Sequence, residues 1–279
     1  MSNITTWLLR GDCHGYFGWM KNRSLDDYLP EQTAIIILGD AGINFWLNER
    51  DRQLKEELES KGFYLYCLRG NHEERPQAIK GMKLVYDDNV DGNVYIEEAY
   101  PHIRYFKDFG IYHIDNFNIG VVGGAYSIDK WYRLMRAGVK DKFDPKYMNP
   151  KVTGWFPLEQ LDDYEMEEAA AFFKGKHVDF MFTHTCPIEY QPTDLFLSGV
   201  DQSSVDNSME LFLSELKDSM SIGVWCFGHY HADRLERPYV EQYYNDIEEL
   251  QHIWNRWDKY KKTGELDWWL TKAPGFYMS

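Results

Sequence analysis

Apolar residues in the first third of the chain fall in short unbroken runs, each ending at a glycine and a polar residue. Thr6 to Arg10 carries Trp7-Leu8-Leu9 and stops at Gly11-Asp12, and Thr33 to Leu38 carries four aliphatic residues after Ala34 and stops at Gly39-Asp40. Phe63 to Leu68 runs on into Arg69-Gly70-Asn71-His72-Glu73. A run apolar on both faces predicts a strand covered on both sides, as in a parallel sheet. Between the second and third runs, Asn48 to Lys61 is charged, with Leu54 and Leu58 four apart. That spacing predicts a surface helix stopped by Gly62. Strand and helix signals in alternation predict an α/β fold.

The middle of the chain changes character. Gly110 to His113 and Phe117 to Val122 flank Asp115-Asn116, which predicts a hairpin and antiparallel pairing. Residues 126–156, rich in Tyr, Trp, Lys, Pro and Gly, read as a long loop region. Pro157 to Lys174 reads as a helix with proline in its first turn. Strands follow at Val178 to Phe182, ending in Thr183-His184, and at Ile222 to Phe227, ending in Gly228-His229-Tyr230-His231, with a helix at Asn207 to Lys217 between them. Leu250, Ile253, Trp254 and Trp257 give residues 245–262 a helical spacing, and the tail carries Trp268, Trp269, Phe276 and Tyr277. We expect a domain over residues 1–244 and a helical, aromatic-rich extension over 245–279 packed on it, with a dimer contact or a lid as the alternatives.

Charge narrows the partners. Thirty basic against 45 acidic residues give a net charge of −15, a field that disfavours long nucleic acids and leaves small phosphorylated molecules open. There is no apolar run of about eighteen residues, so no membrane span is expected. Met1 to Thr6 lacks the pattern of a secretory leader, and four scattered cysteines (Cys13, Cys67, Cys186, Cys226) do not form a disulfide framework. Both point to the cytoplasm, with the thiols as packed residues; Cys13, between two candidate ligands, is read the same way.

The polar residues at the strand ends form the candidate site: Asp12 and His14, Asp40, Asn71 and His72, His184, His229 and His231. Parallel strands bring their carboxyl ends to one edge of a sheet, so residues far apart in sequence can meet there. Five of the nine histidines fall in this set, while His102, His113, His177 and His252 follow no pattern. Carboxylates, an amide oxygen and imidazoles suit Mn, Fe, Zn, Ni or Co. A carboxylate with two oxygens can bridge two ions, and an ion pair can activate water and clamp a phosphoryl group.

In Gly11-Asp12-Cys13-His14-Gly15, Gly39-Asp40, Gly70-Asn71-His72-Glu73, Thr183-His184 and Gly228-His229-Tyr230-His231, the chain resembles the calcineurin-like metallophosphoesterase superfamily. The resemblance implies two mixed β-sheets flanked by helices in four α/β/β/α layers. It implies Asp12, His14 and His231 on one metal, Asn71, His184 and His229 on a second, and Asp40 bridging. It gives His72 a catalytic role as leaving-group acid or transition-state stabiliser. Two motifs are also similar to the serine/threonine protein phosphatases, which keeps a phosphoprotein substrate open. Those enzymes carry an arginine after the second Gly-Asp; here the chain reads Ala41-Gly42-Ile43-Asn44-Phe45-Trp46. Arg75, Arg133 and Arg136 are the replacements considered for gripping phosphate, and Asn71, His72 and Arg75 are the expected substrate contacts. The expected activity is hydrolysis of a small phosphate ester. A phosphodiesterase or nuclease is the alternative, and a non-catalytic scaffold is the reading from another class.

Overall fold

A computed structural model of the chain describes residues 4–21, 25–196 and 202–265. Strands β1 (Thr6–Arg10), β2 (Thr33–Ile37) and β3 (Tyr64–Cys67) lie parallel and side by side. The helix between the last two, α1 (Glu49–Glu59), is capped by Asn48, whose side chain accepts from the Arg50 amide. Three strands that the hydrophobic pattern did not mark extend this sheet: β4 (Met82–Asp87), β5 (Gly92–Glu97) and β6 (Ile103–Tyr105). β6 is parallel to β3, and β5 and β4 follow it as an antiparallel edge.

The second sheet holds β7 (Phe109–Ile114), β8 (Phe117–Val122), β9 (His177–Thr183), β10 (Ser221–Phe227), β11 (Arg234–Arg237) and β12 (Val240–Gln242), in the order β11-β12-β10-β9-β8-β7. The β7–β8 hairpin turns at Asp115, which takes a left-handed backbone, φ 51°. β8, β9, β10 and β12 are mutually parallel.

The loop region holds two short helices, α2 (Lys130–Arg136) and α3 (Pro150–Thr153). The helix predicted from Pro157 begins later, as α4 (Asp163–Phe173). Asp162 caps it by accepting from the Glu165 amide, and Glu165 returns the bond to the Asp162 amide. The backbone before it cannot join the helix because the carbonyls of Leu158, Glu159 and Gln160 accept from Arg69 and Arg75. Helix α5 (Ser208–Ser219) covers the outer face of the second sheet.

Strand periodicity sorts the core into layers. Leu9, Ile36 and Tyr66 point inward from the first sheet to meet Phe180, Phe182 and Val224 of the second. Their neighbours Leu8, Ile35 and Leu65 point outward against Leu58 of α1. Met181 and Trp225 point outward against Phe173 of α4 and Leu213 of α5. This is the four-layer α/β/β/α arrangement.

The segment past residue 244 begins as a strand, β13 (Ile247–Glu249), antiparallel to β1, and only then becomes helix α6 (Leu250–Thr263). The paired Glu248 and Glu249 hold these residues in the sheet, so the helical reading of 245–262 starts too early. Leu250, Ile253 and Trp257 of α6 are buried in the inter-sheet core, and Trp257 Nε1 donates to Glu241 Oε1 at 2.5 Å. Trp268, Trp269, Phe276 and Tyr277 lie outside the described residues. Trp257→Ala is expected to cost about 3–5 kcal/mol in urea-denaturation stability; a loss below about 1 kcal/mol would contradict this packing. Among the described residues no helix is long and apolar enough to cross a membrane.

Candidate metal centre

Each sheet delivers three parallel strand ends to one edge of the sandwich. From the first sheet come Asp12 after β1, Asp40 after β2 and Asn71 after β3; from the second come Ser127 after β8, His184 after β9, and His229 with His231 after β10. Short bonds stitch these ends together. The Cys13 and His14 amides donate to Asp40 O, at 3.0 and 2.8 Å, and the Gly124 amide donates to Arg69 O at 2.8 Å. The His229 amide donates to Asp12 Oδ1 at 2.9 Å and the His72 amide to Asp40 Oδ1 at 2.7 Å.

Two groups of ligand-type atoms result: Asp12, His14 and His231, and Asp12, Asp40 and His184. In the first, the His14 and His231 Nε2 atoms face each other at 2.9 Å, 3.6 and 3.3 Å from Asp12 Oδ2. Asp12 Oδ2 is nevertheless buried and accepts no hydrogen bond. A buried carboxylate oxygen is ordinarily paired, so lone pairs converging on it fit a cation. In the second, His184 Nδ1 donates to Leu38 O at 2.7 Å, which turns Nε2 toward Asn71 Oδ1 at 2.9 Å and Asp40 Oδ1 at 3.5 Å. Two oxygens against that nitrogen call for a proton or a metal. Burial would push His184 down, but Asp40 and Asp12 hold it up at about 9. Burial and the neighbouring His184 drive His229 down to about 3, so it stays an uncharged donor. Asp40 is buried, which favours its neutral form, yet His184 and His72 hold its carboxyl well below the usual range.

His72 sits at the rim, its Nε2 4.0 Å from Asp40 Oδ2. Arg133 Nη2 lies 3.2 Å from His72 Nδ1. A guanidinium only donates, so Nδ1 carries the lone pair and the neutral ring keeps its proton on Nε2. Burial lowers the His72 pKa, Asp40 opposes this, and the Arg133 charge adds to the lowering.

The sequence profile of the calcineurin-like phosphoesterases matches residues 8–233, a span containing every candidate ligand and His72. The chain belongs to this family. As a family member it is a metal-dependent phosphoester hydrolase. No curated protein matches the chain. Similar solved structures include the phosphopantetheinyl hydrolase of Mycobacterium tuberculosis, 14% identical, TM-score 0.36, over 99% of this chain and 100% of that one. Another is the sulfate thiohydrolase SoxB of Thermus thermophilus in complex with glycerol, 14% identical, TM-score 0.29, over 77% of this chain and 34% of that one.

In this calcineurin-like phosphoesterase the glycines of the motifs serve a purpose the sequence did not disclose. Gly70 and Gly228 have ordinary backbone but no room: a β-carbon would lie 2.0 Å from Asp40 Oδ1 at Gly70 and 2.4 Å from Asp12 Oδ1 at Gly228. Gly15 and Gly39 do take left-handed backbone, with φ of 75° and 91°, and so do four candidate ligands: His14, Asp40, His229 and His231 have φ of 47°, 48°, 68° and 54°. Non-glycine residues adopt this region at some cost, and such strain concentrates at functional sites. Gly70→Ala should cost about 3 kcal/mol of stability and sharply lower metal content, since the new methyl also meets the Asp40 backbone nitrogen at 2.3 Å. Urea denaturation and elemental analysis of the purified variant check both.

Arg75, expected as a substrate contact from its place beside His72, has its donors turned toward the start of α4. It is buried, and its donors go to Leu158 O, Gln160 O and the Glu165 carboxylate, with Asp108 3.4 Å away. Those bonds fasten α4 to the site loop. Arg136 stays exposed, and Arg133 alone of the three reaches the centre, beside His72. Cys13 is a packed thiol, pushed up to about 12 by burial.

Several residues at the centre were not read from the sequence. Ser127 Oγ accepts from Asn71 Nδ2 at 2.8 Å and so turns the amide oxygen toward the site; Glu159 Oε1 in turn accepts from the Ser127 amide at 3.1 Å. Gly123-Gly124 after β8 repeats the strand-glycine pattern of the other motifs and was the available signal. Tyr244 stacks on His231 with ring centroids 4.9 Å apart, on a turn whose amides at 244, 245 and 246 all donate to Asp233.

Proposed function

We propose that this phosphoesterase hydrolyses a small phosphate monoester at two metal ions, with Asp12, His14 and His231 on one, Asn71, His184 and His229 on the other, and Asp40 bridging. The unpartnered, buried Asp12 Oδ2 at the convergence of His14 and His231 carries this reading. The nitrogen and oxygen donor set suits Mn, Fe, Zn, Ni or Co, which when bound supply Lewis acidity to activate water and offset phosphoryl charge. His72, neutral with its proton on Nε2, donates a hydrogen bond to the leaving oxygen and stabilises the charge that builds there. Arg133 fixes that tautomer, itself held by Asp129 and Gly154 O. In the reaction the water oxygen bonds to phosphorus, the ester P–O bond breaks and the leaving oxygen ends with the proton that the water gives up, giving inorganic phosphate and an alcohol.

The net charge of −15 supports a small substrate over long nucleic acid, and the four free, buried cysteines support a cytoplasmic setting. With Mn supplied, p-nitrophenyl phosphate should turn over faster than bis(p-nitrophenyl) phosphate, and EDTA should abolish both. A faster diester would move the assignment to a phosphodiesterase. Two bound metals with neither ester cleaved would favour a scaffold.

A further inference from the structure

Helices α2 and α3 enclose a cavity of about 450 Å³ beside the metal centre, lined by Phe45, Trp46, Tyr132, Arg133, Arg136 and Lys151 among others. Two of its wall residues touch His72. Arg133, on its wall, reaches His72 Nδ1 at 3.2 Å, and the Phe45 ring lies 6.2 Å from the His72 imidazole. The cavity thus adjoins His72 on the Nδ1 side of its ring.

The wall has two chemistries. Trp46 and Tyr132, 48% and 55% exposed, present their rings on this wall. Arg50 covers one face of Trp46, 4.5 Å from its centroid, and the Arg136 guanidinium lies 5.7 Å from the Tyr132 centroid. The cations carry the second. Asp129, also on the wall, is bonded to Arg133 Nε at 2.6 Å, while Arg136 and Lys151 have no carboxylate partner among the described residues. In a chain of net charge −15, unpaired cations at the mouth of a phosphoesterase site are a local reversal of sign that suits an anion.

We infer that this cavity is a leaving-group subsite for a phosphate monoester whose alcohol carries a planar ring and a second phosphate, as in a nucleoside bisphosphate. The ring lies against Trp46 and Tyr132, and the second phosphate meets Arg136 and Lys151. The inference rests on the monoesterase reading above and adds the class of its substrate.

The test compares kcat/KM of the Mn-loaded protein for adenosine 3′,5′-bisphosphate and adenosine 3′-monophosphate, which differ only in the second phosphate. The bisphosphate should be preferred by about tenfold or more. The double variant Arg136→Gln with Lys151→Gln should bring the ratio close to one, while Lys142→Gln, on the same segment but outside the cavity, should keep it. A wild-type ratio near one, or a preference that survives the double variant, overturns the subsite. Hydrolysis of p-nitrophenyl phosphate in the same preparation shows whether the monoesterase reading stands. If no ester turns over with both metals bound, that reading falls and calorimetry with adenosine 3′,5′-bisphosphate decides the cavity. A Kd about tenfold weaker in the double variant supports the subsite, and an unchanged Kd or no binding overturns it.

Discussion

Asp40→Asn is expected to fold normally, hold fewer than two metal ions per chain and turn over about a thousandfold more slowly. The substitution is close to isosteric. Asparagine keeps the Oδ1 that accepts the His72 amide at 2.7 Å, and it is among the residues that best tolerate the φ of 48° at this position. What it removes is charge. Asp40 is the buried anion beside His184, with His14 and His72 nitrogens 3.8 and 4.0 Å from its Oδ2. An amide has one oxygen to offer and no negative charge, so it cannot serve two cations as a carboxylate does. Elemental analysis, thermal unfolding and steady-state kinetics separate the outcomes. Two ions per chain with more than half of the activity would remove the bridging role.

His72→Ala is expected to do the reverse, keeping both ions and losing about 10²–10⁴ in kcat. His72 belongs to neither ligand cluster, and its ring is held from behind by Arg133. A hydrogen-bond donor to the leaving oxygen matters most when that oxygen is basic. The loss should therefore be larger on an alkyl phosphate than on p-nitrophenyl phosphate, whose phenolate leaves without a proton. Equal losses on both, or a loss of metal, would assign His72 a structural part instead.

Much of the centre could be read from one repeated pattern, an apolar run followed by glycine and a polar residue. It marks the ends of β1, β2, β3 and β10 and so exposes Asp12, Asp40, Asn71, His229 and His231, while β9 runs into Thr183-His184 without a glycine. Ser127 follows the same pattern after β8 but carries no metal-type side chain, and the hairpin reading of that strand hid it. Nearness in sequence to His72 is not nearness in space for Arg75: the chain turns away after Glu73 and delivers the guanidinium to Glu165 in the first turn of α4. The arginine that reaches His72 comes from α2, 61 residues further on, a contact no local pattern encodes. Strands β4, β5 and β6 escaped for a different reason. They lie toward the edge of the sheet with mixed burial, so neither a continuous apolar run nor a clean alternation marks them.

The division of strand ends between two sheets also fixes when the chain can take up metal. Asp12, His14, Asp40 and Asn71 are made early in synthesis, but their proposed counterparts His184, His229 and His231 are made much later and sit on the other sheet. Neither sheet alone offers a complete set, so metallation waits for the two halves of the sandwich to close. An ion bound there selects the closed form by mass action and acts as a rivet across the interface. Chelation should thus lower the melting temperature as well as silence the enzyme, and a half-folded chain in the cell stays inactive until its last strands are in place.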